Sequence, residues 1–498
     1  MTIQTKTAIL DGFNTKPVTV EGDRNRGLPR FEIIGLASKI IEESRSRIRS
    51  AITNSGFAFP QDHIIINLAP AGLYKTGPHL DLAIAMVVLA LSEQILSPDL
   101  EDALFLGELG LNGQIKPIRG ILSLLDYAKN AKFKTIYIPA ENAKEAQLLQ
   151  LEANIIPIKN LQELWLCLKN IAPIIPLKPV VKNTETETKT PIFDEIIGQN
   201  FAKRAITIAI AGRHNLLLYG PPGSGKSALA KCAQSLLPPL SIQERIDITR
   251  LNSLLSPRDN LASIRPFRAP HNSASRTSIL GGGALLRPGE ISLATHGILF
   301  LDELPEFQRD VLEALRQPLE DKHINLSCMG RNTQYPSDFL LLATSNPCPC
   351  GYYGSNQKPC NCTPTQIHNY QKRLSGPLLD RIDMTVKVPQ QDTSVLVKNT
   401  TNSTHEYEFA KTQIAYAIAR QRERQQKLNG ELSSFETSKL LSLDSTRDFL
   451  AESSSKLQLS ARAFFKTIRI ARTIADIDGD TEIRPEHCAE ALQYRQSF

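Results

Sequence analysis

The run Gly-Pro-Pro-Gly-Ser-Gly-Lys-Ser has the residue types and the spacing of a phosphate-binding loop. It lies between a strand-like apolar run and a helical pattern, and it consists of Gly220, Pro221, Pro222, Gly223, Ser224, Gly225, Lys226 and Ser227. Glycines let backbone N–H groups wrap phosphates, and the N-terminus of the following helix adds positive potential. Lys226 can reach the β- and γ-phosphates, and the Ser227 hydroxyl can ligate Mg²⁺. The sequence therefore predicts a site for ATP and Mg²⁺; the alternative is a Gly/Pro turn that matches by chance.

Two further apolar runs end in polar residues that could complete this site. The run GILFL ends in Asp302 and Glu303, about 75 residues after the P-loop, and the run FLLLATS ends in Asn346. An Asp at the end of a strand can hold the Mg²⁺ shell, and the adjacent Glu can orient and deprotonate the attacking water. Asn346 is expected to touch the γ-phosphate or that water, although an Asn turn before Pro347 is the alternative.

Four of the eight cysteines fall in the fifteen-residue loop CPCGYYGSNQKPCNC, residues 348–362. Two Cys-x-Cys pairs in a reducing compartment favour a metal over a disulfide, and four thiolates can close a tetrahedral Zn²⁺ site. A metal-free loop and redox chemistry are the alternatives, and His368 is a less favoured substitute ligand. The predicted zinc ligands are Cys348, Cys350, Cys360 and Cys362.

The remaining features of the chain indicate a protein of several domains without a membrane segment. Its 498 residues are too many for one core, and its 41% hydrophobic content is ordinary for a globular protein. The N-terminus shows no signal-peptide pattern, and the apolar run at 82–91 is about half a membrane span, so we interpret it as a buried helix. The other cysteines do not form a disulfide framework, which favours the cytoplasm.

The pattern of the P-loop, the Asp-Glu strand and the Asn-ended strand resembles that of an AAA+ ATPase. More specifically, the chain resembles the magnesium-chelatase-like family of the ComM/YifB type over nearly its whole length. The matching stretches are FEIIGLA, INLAPAGLYKTG, RPFRAPHNSASRTSILGGG, GEISLATHGILFLDELPEF, ATSNPCPCG, RLSGPLLDRIDM and SARAFFKTIRIARTIADI. One departure is Asn272, where the family usually has a second His.

This resemblance implies an α/β fold in three parts. They are a Lon-protease-like (S5-like) α/β domain at 1–172, an AAA+ P-loop core at 192–390 and a C-terminal helical lid at 407–498, with linkers at 173–191 and 391–406. In the Lon-like part, His79 stands where the protease has its nucleophilic Ser, and Leu122 stands where it has its Lys. Since a Ser-Lys dyad needs a hydroxyl and an amine, we expect the fold to be kept without proteolysis.

The resemblance also assigns arginines to the nucleotide site. Arg381 resembles the arginine finger given to a neighbouring subunit, and Arg373 is a second candidate. Arg462 resembles the sensor-2 arginine, which reaches the nucleotide from the helical lid. A surface salt bridge is the alternative for Arg373 and Arg381. A site built from two subunits implies a homo-oligomeric ring, and the usual ring of the family is a hexamer.

Three functions share this ATPase core. The first is a motor that moves on single-stranded or branched DNA and promotes branch migration in homologous recombination and natural transformation, with recombination proteins as partners. The second drives metal insertion into a tetrapyrrole by a partner subunit, and the third, an ATP-dependent protease, is disfavoured by the lost dyad. The net charge of +6 permits contact with DNA. Two basic runs, 265–276 and 418–432, could provide it or could be solvated faces.

Overall fold

The computed structural model describes residues 2–35, 39–75, 77–149, 151–173, 175–178, 193–256, 262–328, 331–355, 358–391 and 405–495. Most of the two predicted linkers, at 179–192 and 392–404, lies outside the described residues. The α/β fold class is confirmed: an α/β region precedes the first linker, a second one with a parallel sheet follows it, and the chain ends in helices. None of the described helices is long and apolar enough to cross a membrane.

The N-terminal region contains a mixed sheet, a small parallel sheet and the helices that cover them. Its strands are β1 (Thr2–Asp11), β2 (Asn14–Asn25), β3 (Arg30–Ile34), β4 (His63–Ala69), β5 (Ala103–Phe105), β6 (Glu108–Leu109), β7 (Ile115–Lys116), β8 (Thr135–Pro139) and β9 (Asn154–Ile158). Its helices are α1 (Lys39–Asn54), α2 (Asp81–Leu91), α3 (Ile121–Asn130), α4 (Ala143–Ala146) and α5 (Leu161–Leu168). The mixed sheet has the order β1-β2-β4-β3, and the parallel sheet has the order β5-β8-β9.

Helix α2 forms the centre of the N-terminal core. Every residue from Asp81 to Leu91 is buried, so this helix presents no polar face to solvent. A helix that is apolar all round belongs inside a protein. The prediction that the apolar run at 82–91 is a buried helix is therefore confirmed.

The second region is built around a five-stranded parallel sheet of order β11-β14-β17-β10-β18. Its strands are β10 (Leu216–Tyr219), β11 (Phe267–Arg268), β14 (Ile298–Leu301), β17 (Leu340–Ser345) and β18 (Met384–Lys387), and the hairpin strands are β12 (Gly281–Gly282), β13 (Arg287–Pro288), β15 (His323–Cys328) and β16 (Arg331–Pro336). The helices are α6 (Asn200–Gly212), α7 (Lys226–Leu236), α8 (Ile242–Ser253), α9 (Arg276–Leu280), α10 (Glu290–Leu293), α11 (Arg309–Ala314), α12 (Arg316–Asp321), α13 (Pro364–Gln371) and α14 (Gly376–Leu379).

The C-terminal region is helical, as predicted, and shares a core with one face of the parallel sheet. Its helices are α15 (Glu406–Gln425), α16 (Ser434–Ser438), α17 (Asp444–Lys456), α18 (Ala461–Asp478) and α19 (Pro485–Gln493). Ile414 of α15 and Ile468 of α18 pack in the same cluster as Leu216 of β10. This apolar contact fixes where the helices lie relative to the sheet.

The β1–β2 turn connects the N-terminal region to the ATPase region. The Arg250 guanidinium of α8 lies 4.3 Å from the centre of the Phe13 ring. The Thr333 hydroxyl of β16 donates to the Asp11 carbonyl at 3.0 Å. The Gly120 N–H, at the start of α3, donates to the Ser253 carbonyl at 3.1 Å. The N-terminal region therefore rests directly on α8 and on the β15–β16 hairpin.

Candidate nucleotide site

Three adjacent strands of the parallel sheet bring the predicted nucleotide-binding residues together. The P-loop follows β10, Asp302 follows β14, and Asn346 follows β17. Strand β17 lies between the other two in the sheet. Because all three strands run in the same direction, their carboxyl ends meet at one edge, where ligands of α/β sheets bind. The sheet order thus positions residues that are more than a hundred positions apart in sequence.

The backbone of the P-loop has the curvature that phosphate binding requires. Gly223 and Gly225 have φ angles of 75° and 87°, in the left-handed region that residues with a Cβ rarely adopt. Nothing lies within 4 Å of the position of a Cβ on either glycine, so this side of the loop is open to a ligand. Helix α7 begins at Lys226, which places its N-terminus against the loop.

Lys226 is held inside the loop by polar contacts. Its ammonium donates to the carbonyls of Gly220 and Pro221 at 2.8 Å and to the side-chain oxygen of Asn346 at 3.3 Å. Burial lowers the pKa of Lys226 to about 8, although the nearby carboxylates of Asp302 and Glu303 act in the opposite direction. Lys226 and Asn346 are therefore in direct contact, and both acids lie close enough to act on the lysine.

The Ser227 hydroxyl lies 3.0 Å from both carboxylate oxygens of Asp302. Thr344, near the end of β17, donates its hydroxyl hydrogen to the same carboxylate. A serine hydroxyl and a carboxylate are the protein ligands that the P-loop class uses for Mg²⁺, and oxygen ligands suit this hard cation. The residues present thus fit a magnesium ion between Ser227 and Asp302.

Glu303 has an unusual backbone conformation next to these ligands. Its φ angle is 54°, in the left-handed region. Its N–H donates to the Thr344 hydroxyl at 2.9 Å, and its carbonyl accepts from the Glu306 N–H at 2.8 Å. Strained backbone of this kind persists only where the surroundings hold it, and it is concentrated at functional sites. The side chain is exposed, as a base that activates water requires.

Two residues that the sequence analysis did not single out also support the site. The Gln199 side chain donates to the Ser224 carbonyl at 3.2 Å and to the Pro389 carbonyl at 2.7 Å. It thereby ties the start of α6 to the P-loop and to the end of β18. Thr344 fixes both Asp302 and the Glu303 backbone. In the sequence, Gly198 before Gln199 indicated only weakly that a turn lies there. Thr344 lies inside an apolar strand, and no pattern in the sequence indicated its role.

The four cysteines of the 348–362 loop form one cluster. The Sγ atoms of Cys348 and Cys350 are 3.4 Å apart, and both lie within 3.7 Å of the Cys360 Sγ. All four Sγ atoms, that of Cys362 included, lie within 4.8 Å of one another. A tetrahedral zinc ion with Zn–S bonds of about 2.3 Å would place its sulfurs ~3.8 Å apart. The geometry and the all-thiol donor set therefore fit Zn²⁺.

The cysteine loop packs on the nucleotide site. A Cβ on Gly351 would lie 2.6 Å from the Pro222 side chain, and the φ angle of Gly351 is 85°, so only glycine suits this position. The Tyr353 N–H donates to the Cys348 Sγ at 3.3 Å. A backbone hydrogen bond from Tyr352 lowers the pKa of the Cys350 thiol to about 6, which favours the thiolate that binds metals. His368 lies on α13 and is not a member of the cluster.

Arg381 and Arg462 lie away from the P-loop of their own chain. Both line a groove with Asn215, Phe339 and Asp383, which precede β10, β17 and β18. These are the amino ends of strands, whereas the P-loop is at the carboxyl ends. The helical lid therefore does not bring Arg462 to the nucleotide site of the same chain. A contact of either arginine with a nucleotide stays a prediction.

Arg373 contacts the turn that follows Glu303, beyond the carboxyl end of β14. Its guanidinium is 3.0 Å from the Glu306 carboxylate and donates to the Pro305 carbonyl at 3.2 Å. Glu306 is three residues after Glu303. An exposed pair of this kind contributes little to stability, so the contact is in line with the salt-bridge alternative for Arg373.

The two basic runs are largely occupied by internal contacts. Arg265 is paired with Glu244 at 2.8 Å, and Arg268 forms two hydrogen bonds with Glu290 at 2.6 and 2.7 Å. In the second run the helix ends at Gln425 rather than continuing to 432, and Arg424 is paired with the buried Asp476 at 2.7 Å. His271 and Arg276 in the first run, and Arg422 and Lys427 in the second, are exposed.

The two residues predicted to stand at the protease dyad positions, His79 and Leu122, are both buried in the N-terminal region. The His79 ring nitrogen Nε2 lies 3.1 Å from the Ala8 carbonyl, and burial lowers the pKa of His79 to about 4. Leu122 is fully buried on α3. His79 therefore packs inside this region, and neither residue is exposed to a substrate.

Comparisons with known proteins agree with this geometry. Three family models match the chain: magnesium chelatase, subunit ChlI, over residues 192–396; subunit ChlI of Mg-chelatase over 20–142; and the subunit ChlI C-terminal model over 406–495. The chain is 41% identical over 498 residues to the uncharacterized protein YifB of Salmonella typhimurium, covering 99% of this chain and 96% of that protein. It is 39% identical over 494 residues to the competence protein ComM of Haemophilus influenzae, and the match covers 97% of this chain and 95% of that protein.

The N-terminal region has a separate similarity. Over 144 residues the chain is 31% identical to Lon protease 2 of Bacillus subtilis, covering 28% of this chain and 25% of that protein. The Lon-like character of this region is therefore confirmed.

Proposed function

We propose that this chain, which belongs to the magnesium-chelatase-like family of AAA+ ATPases, uses ATP hydrolysis to move on DNA and to promote branch migration. The processes served would be homologous recombination and natural transformation. One observation supports the DNA motor above the alternatives: the similarity to a competence protein extends over 95% of that protein. A likeness of that extent includes the N-terminal region and the lid as well as the ATPase core.

The contacts at the sheet edge support specific roles in hydrolysis. Lys226 binds the β- and γ-phosphates, Ser227 and Asp302 hold Mg²⁺, Glu303 deprotonates the attacking water, and Asn346 orients the γ-phosphate or that water. The rest of the P-loop supplies backbone N–H groups. Phosphoryl transfer needs positioned charge more than covalent chemistry, and this site provides a cation, a metal site and a base within one edge of the sheet.

A ring, with a hexamer as the expected size, would complete each site. Arg381 and Arg462 lie at the amino ends of the strands, away from the P-loop of their own chain. In a ring of identical subunits, one such face can meet the P-loop face of the next subunit. Arg381 would then be the arginine finger, and Arg462 would reach the same neighbouring nucleotide. Arg373, already paired with Glu306, is the weaker candidate.

The cysteine cluster would bind one Zn²⁺ per subunit as a structural ion. Cys348 is two residues after Asn346, and Gly351 packs against Pro222 of the P-loop. The metal would order a loop that contains few apolar side chains, since metal-binding energy becomes folding energy. We therefore place zinc in support of the nucleotide site and not in the reaction.

Single-stranded or branched DNA is the proposed substrate of the motor, with recombination proteins as further partners. The exposed side chains of Arg276 and Arg422 are candidates for contact with phosphates. The other arginines and the lysine of both runs form contacts inside the chain. The domain division stays as predicted from sequence, with linkers at 173–191 and 391–406. An ATP-dependent protease is disfavoured, because His79 and Leu122, which are predicted to stand at the dyad positions, are buried and cannot supply a hydroxyl and an amine.

A chelatase-type motor is the second candidate, because the three family models carry the name of a magnesium chelatase subunit. The ATPase rate distinguishes the two functions when it is measured with and without forked DNA, and with a porphyrin-chelatase partner as the comparison. We expect forked DNA to stimulate hydrolysis and the partner to have no effect. Stimulation by the partner but not by DNA would contradict the proposal, and Lys226→Ala serves as the inactive control.

A further inference from the structure

A single carboxylate joins the two arginines that lie away from the P-loop. Glu320, near the end of α12, is 2.6 Å from the Arg381 guanidinium through Oε2 and 3.2 Å from the Arg462 guanidinium through Oε1. Arg381 follows α14 in the ATPase core, and Arg462 is at the start of α18 in the lid. Each oxygen of one side chain thus holds an arginine from a different region.

Further contacts fix the Arg381 side chain. Arg381 donates from Nε to the Arg316 carbonyl at 3.1 Å and from Nη1 to the Pro377 carbonyl at 2.6 Å. Its side chain is 11% exposed, whereas that of Arg462 is 60% exposed. One turn after Arg462, Lys466 is paired with Asp383 of the core at 2.9 Å. The lid helix is therefore held against the core at this point, and the guanidinium of Arg462 is oriented by Glu320.

The three charged groups border an open groove. Glu320, Arg381 and Arg462 all line the groove at the amino ends of the strands, which has a volume of about 350 Å³. Arg381 and Glu320 also line a neighbouring groove of about 780 Å³ with Arg276 and Arg316. The guanidinium groups of Arg381 and Arg462 both contact Glu320, and they would repel each other if the carboxylate were absent. One carboxylate against two guanidinium groups leaves the trio with a net positive charge, which is the charge that suits a phosphate.

We propose that Glu320 is a positioning residue that holds Arg381 and Arg462 together as a two-arginine clamp for the nucleotide of the neighbouring subunit. This inference rests on the proposed shared site. Groups that are already oriented when charge develops stabilise a transition state at no cost of reorganisation. Without the carboxylate, the Arg462 side chain would sample many rotamers, and Arg381 would lose one of its three fixed contacts.

The test is the variant Glu320→Gln, which keeps the size of the side chain and removes its charge. We expect kcat for ATP to fall at least tenfold, while KM and the midpoint of thermal unfolding change little. Glu431 is the matched control, because its carboxylate also bridges two cations, Arg213 at 3.2 Å and Lys322 at 2.7 Å, without contacting the clamp. Glu431→Gln should leave kcat within twofold of wild type.

A double variant separates positioning from a general structural role. If Glu320 acts through Arg381, adding Glu320→Gln to Arg381→Ala should lower kcat by no more than about twofold further. Glu320→Asp, which keeps the charge on a shorter side chain, should recover part of the rate. A wild-type or raised kcat in Glu320→Gln would overturn the inference, and so would an equal loss in the Arg381→Ala background.

The same set of variants distinguishes a failure of this inference from a failure of the shared site. If Arg381→Ala hydrolyses ATP at the wild-type rate, the proposal of a shared site is wrong, and the inference of a two-arginine clamp is refuted as well. If Arg381→Ala is inactive while Glu320→Gln is fully active, the shared site stands and only the role of Glu320 is refuted.

Discussion

The Ser227 hydroxyl lies 3.0 Å from both carboxylate oxygens of Asp302. The P-loop that carries Ser227 follows β10, Asp302 follows β14, and strand β17 lies between these two strands. Thr344 of that middle strand donates to the same carboxylate, so the geometry is enforced from within the sheet. The proposed magnesium ion would bind between these two side chains, beside the P-loop. Lys226 and Glu303 are the sequence neighbours of Ser227 and Asp302, and their separate roles in hydrolysis can be tested.

Lys226→Ala and Glu303→Gln should both abolish ATP hydrolysis, for different reasons. Lys226→Ala removes the cation that contacts the phosphates, so it should also weaken ATP binding. Glu303→Gln removes only the water-activating base, a group worth about 10²- to 10⁴-fold in rate, and should bind ATP normally. Steady-state hydrolysis and the binding of a fluorescent ATP analogue measure the two effects. Glu306→Gln is the control, because Glu306 is three residues away and is paired with Arg373; it should hydrolyse ATP at close to the wild-type rate. Wild-type turnover by Glu303→Gln would refute the assignment of the base.

Arg381 should act on the nucleotide of a neighbouring subunit. Arg381→Ala is expected to bind ATP normally but to hydrolyse it about 10³-fold more slowly, the magnitude typical of an arginine finger. Mixing this variant with Lys226→Ala should restore some hydrolysis, because some interfaces in a mixed ring combine an intact P-loop with an intact Arg381. Absence of rescue at every ratio, with mixed rings shown to form, would count against a site shared between subunits.

Removal of two thiols should release the metal and disturb the nucleotide site. Replacing Cys360 and Cys362 with Ser is expected to lower the zinc content from one ion per subunit to near zero. Hydrolysis should fall with it, because the loop packs on Pro222 and follows Asn346 directly, while ATP binding should be less affected. Elemental analysis of protein purified without chelators measures the metal.

Cys328→Ser is the control for the zinc experiment, because Cys328 is partly buried like three of the four ligands but lies outside the cluster. It should retain the full zinc content and the full rate. If wild-type protein holds much less than one zinc per subunit yet hydrolyses ATP and assembles normally, the cysteines form a metal-free loop.

His79 should make the N-terminal region less stable in mild acid. Burial lowers the pKa of this histidine from 6.5 to about 4, so between these values the unfolded chain binds a proton that the folded chain does not. Stability is therefore fully present above pH 6.5 and is lost as the pH falls toward 4, by up to roughly 3 kcal/mol. Urea unfolding can be followed through the single tryptophan, Trp165, which packs on Phe57 in the same region.

The matched variants for this pH dependence are His79→Gln and His271→Gln. His79→Gln should flatten the loss of stability between pH 6.5 and 4.5, whereas His271→Gln, at an exposed position, should leave it unchanged. An unaltered slope in His79→Gln would show that another group causes the acid sensitivity.

The parts of the site that follow strands were predictable from sequence, and those that depend on packing between regions were not. Asp302 and Asn346 each end a short apolar run, and parallel strands must bring such ends to one edge. No local pattern shows which face of the core receives α18, so the distance of Arg462 from its own P-loop could not be foreseen. Glu320 gave no signal for the same reason, because both of its partners are distant in sequence.

The basic runs illustrate a further limit. Charge counts along a sequence do not reveal acidic partners such as Glu290 for Arg268 or Asp476 for Arg424, which come together only in the fold. The ion pairs reduce the number of cations free to contact DNA. The cysteine cluster, in contrast, was predictable because all four ligands lie within fifteen residues.

The most direct test of the central claim is a strand-exchange assay on a fluorescently labelled branched DNA with a movable junction. We expect the wild-type protein with ATP and Mg²⁺ to convert this substrate into its branch-migrated products. Glu303→Gln, which binds ATP without hydrolysing it, should bind the same DNA and leave the junction in place. If wild-type protein that hydrolyses ATP does not move the junction on any branched substrate, or if Glu303→Gln moves it as fast as wild type, the proposal of an ATP-driven branch-migration motor is contradicted.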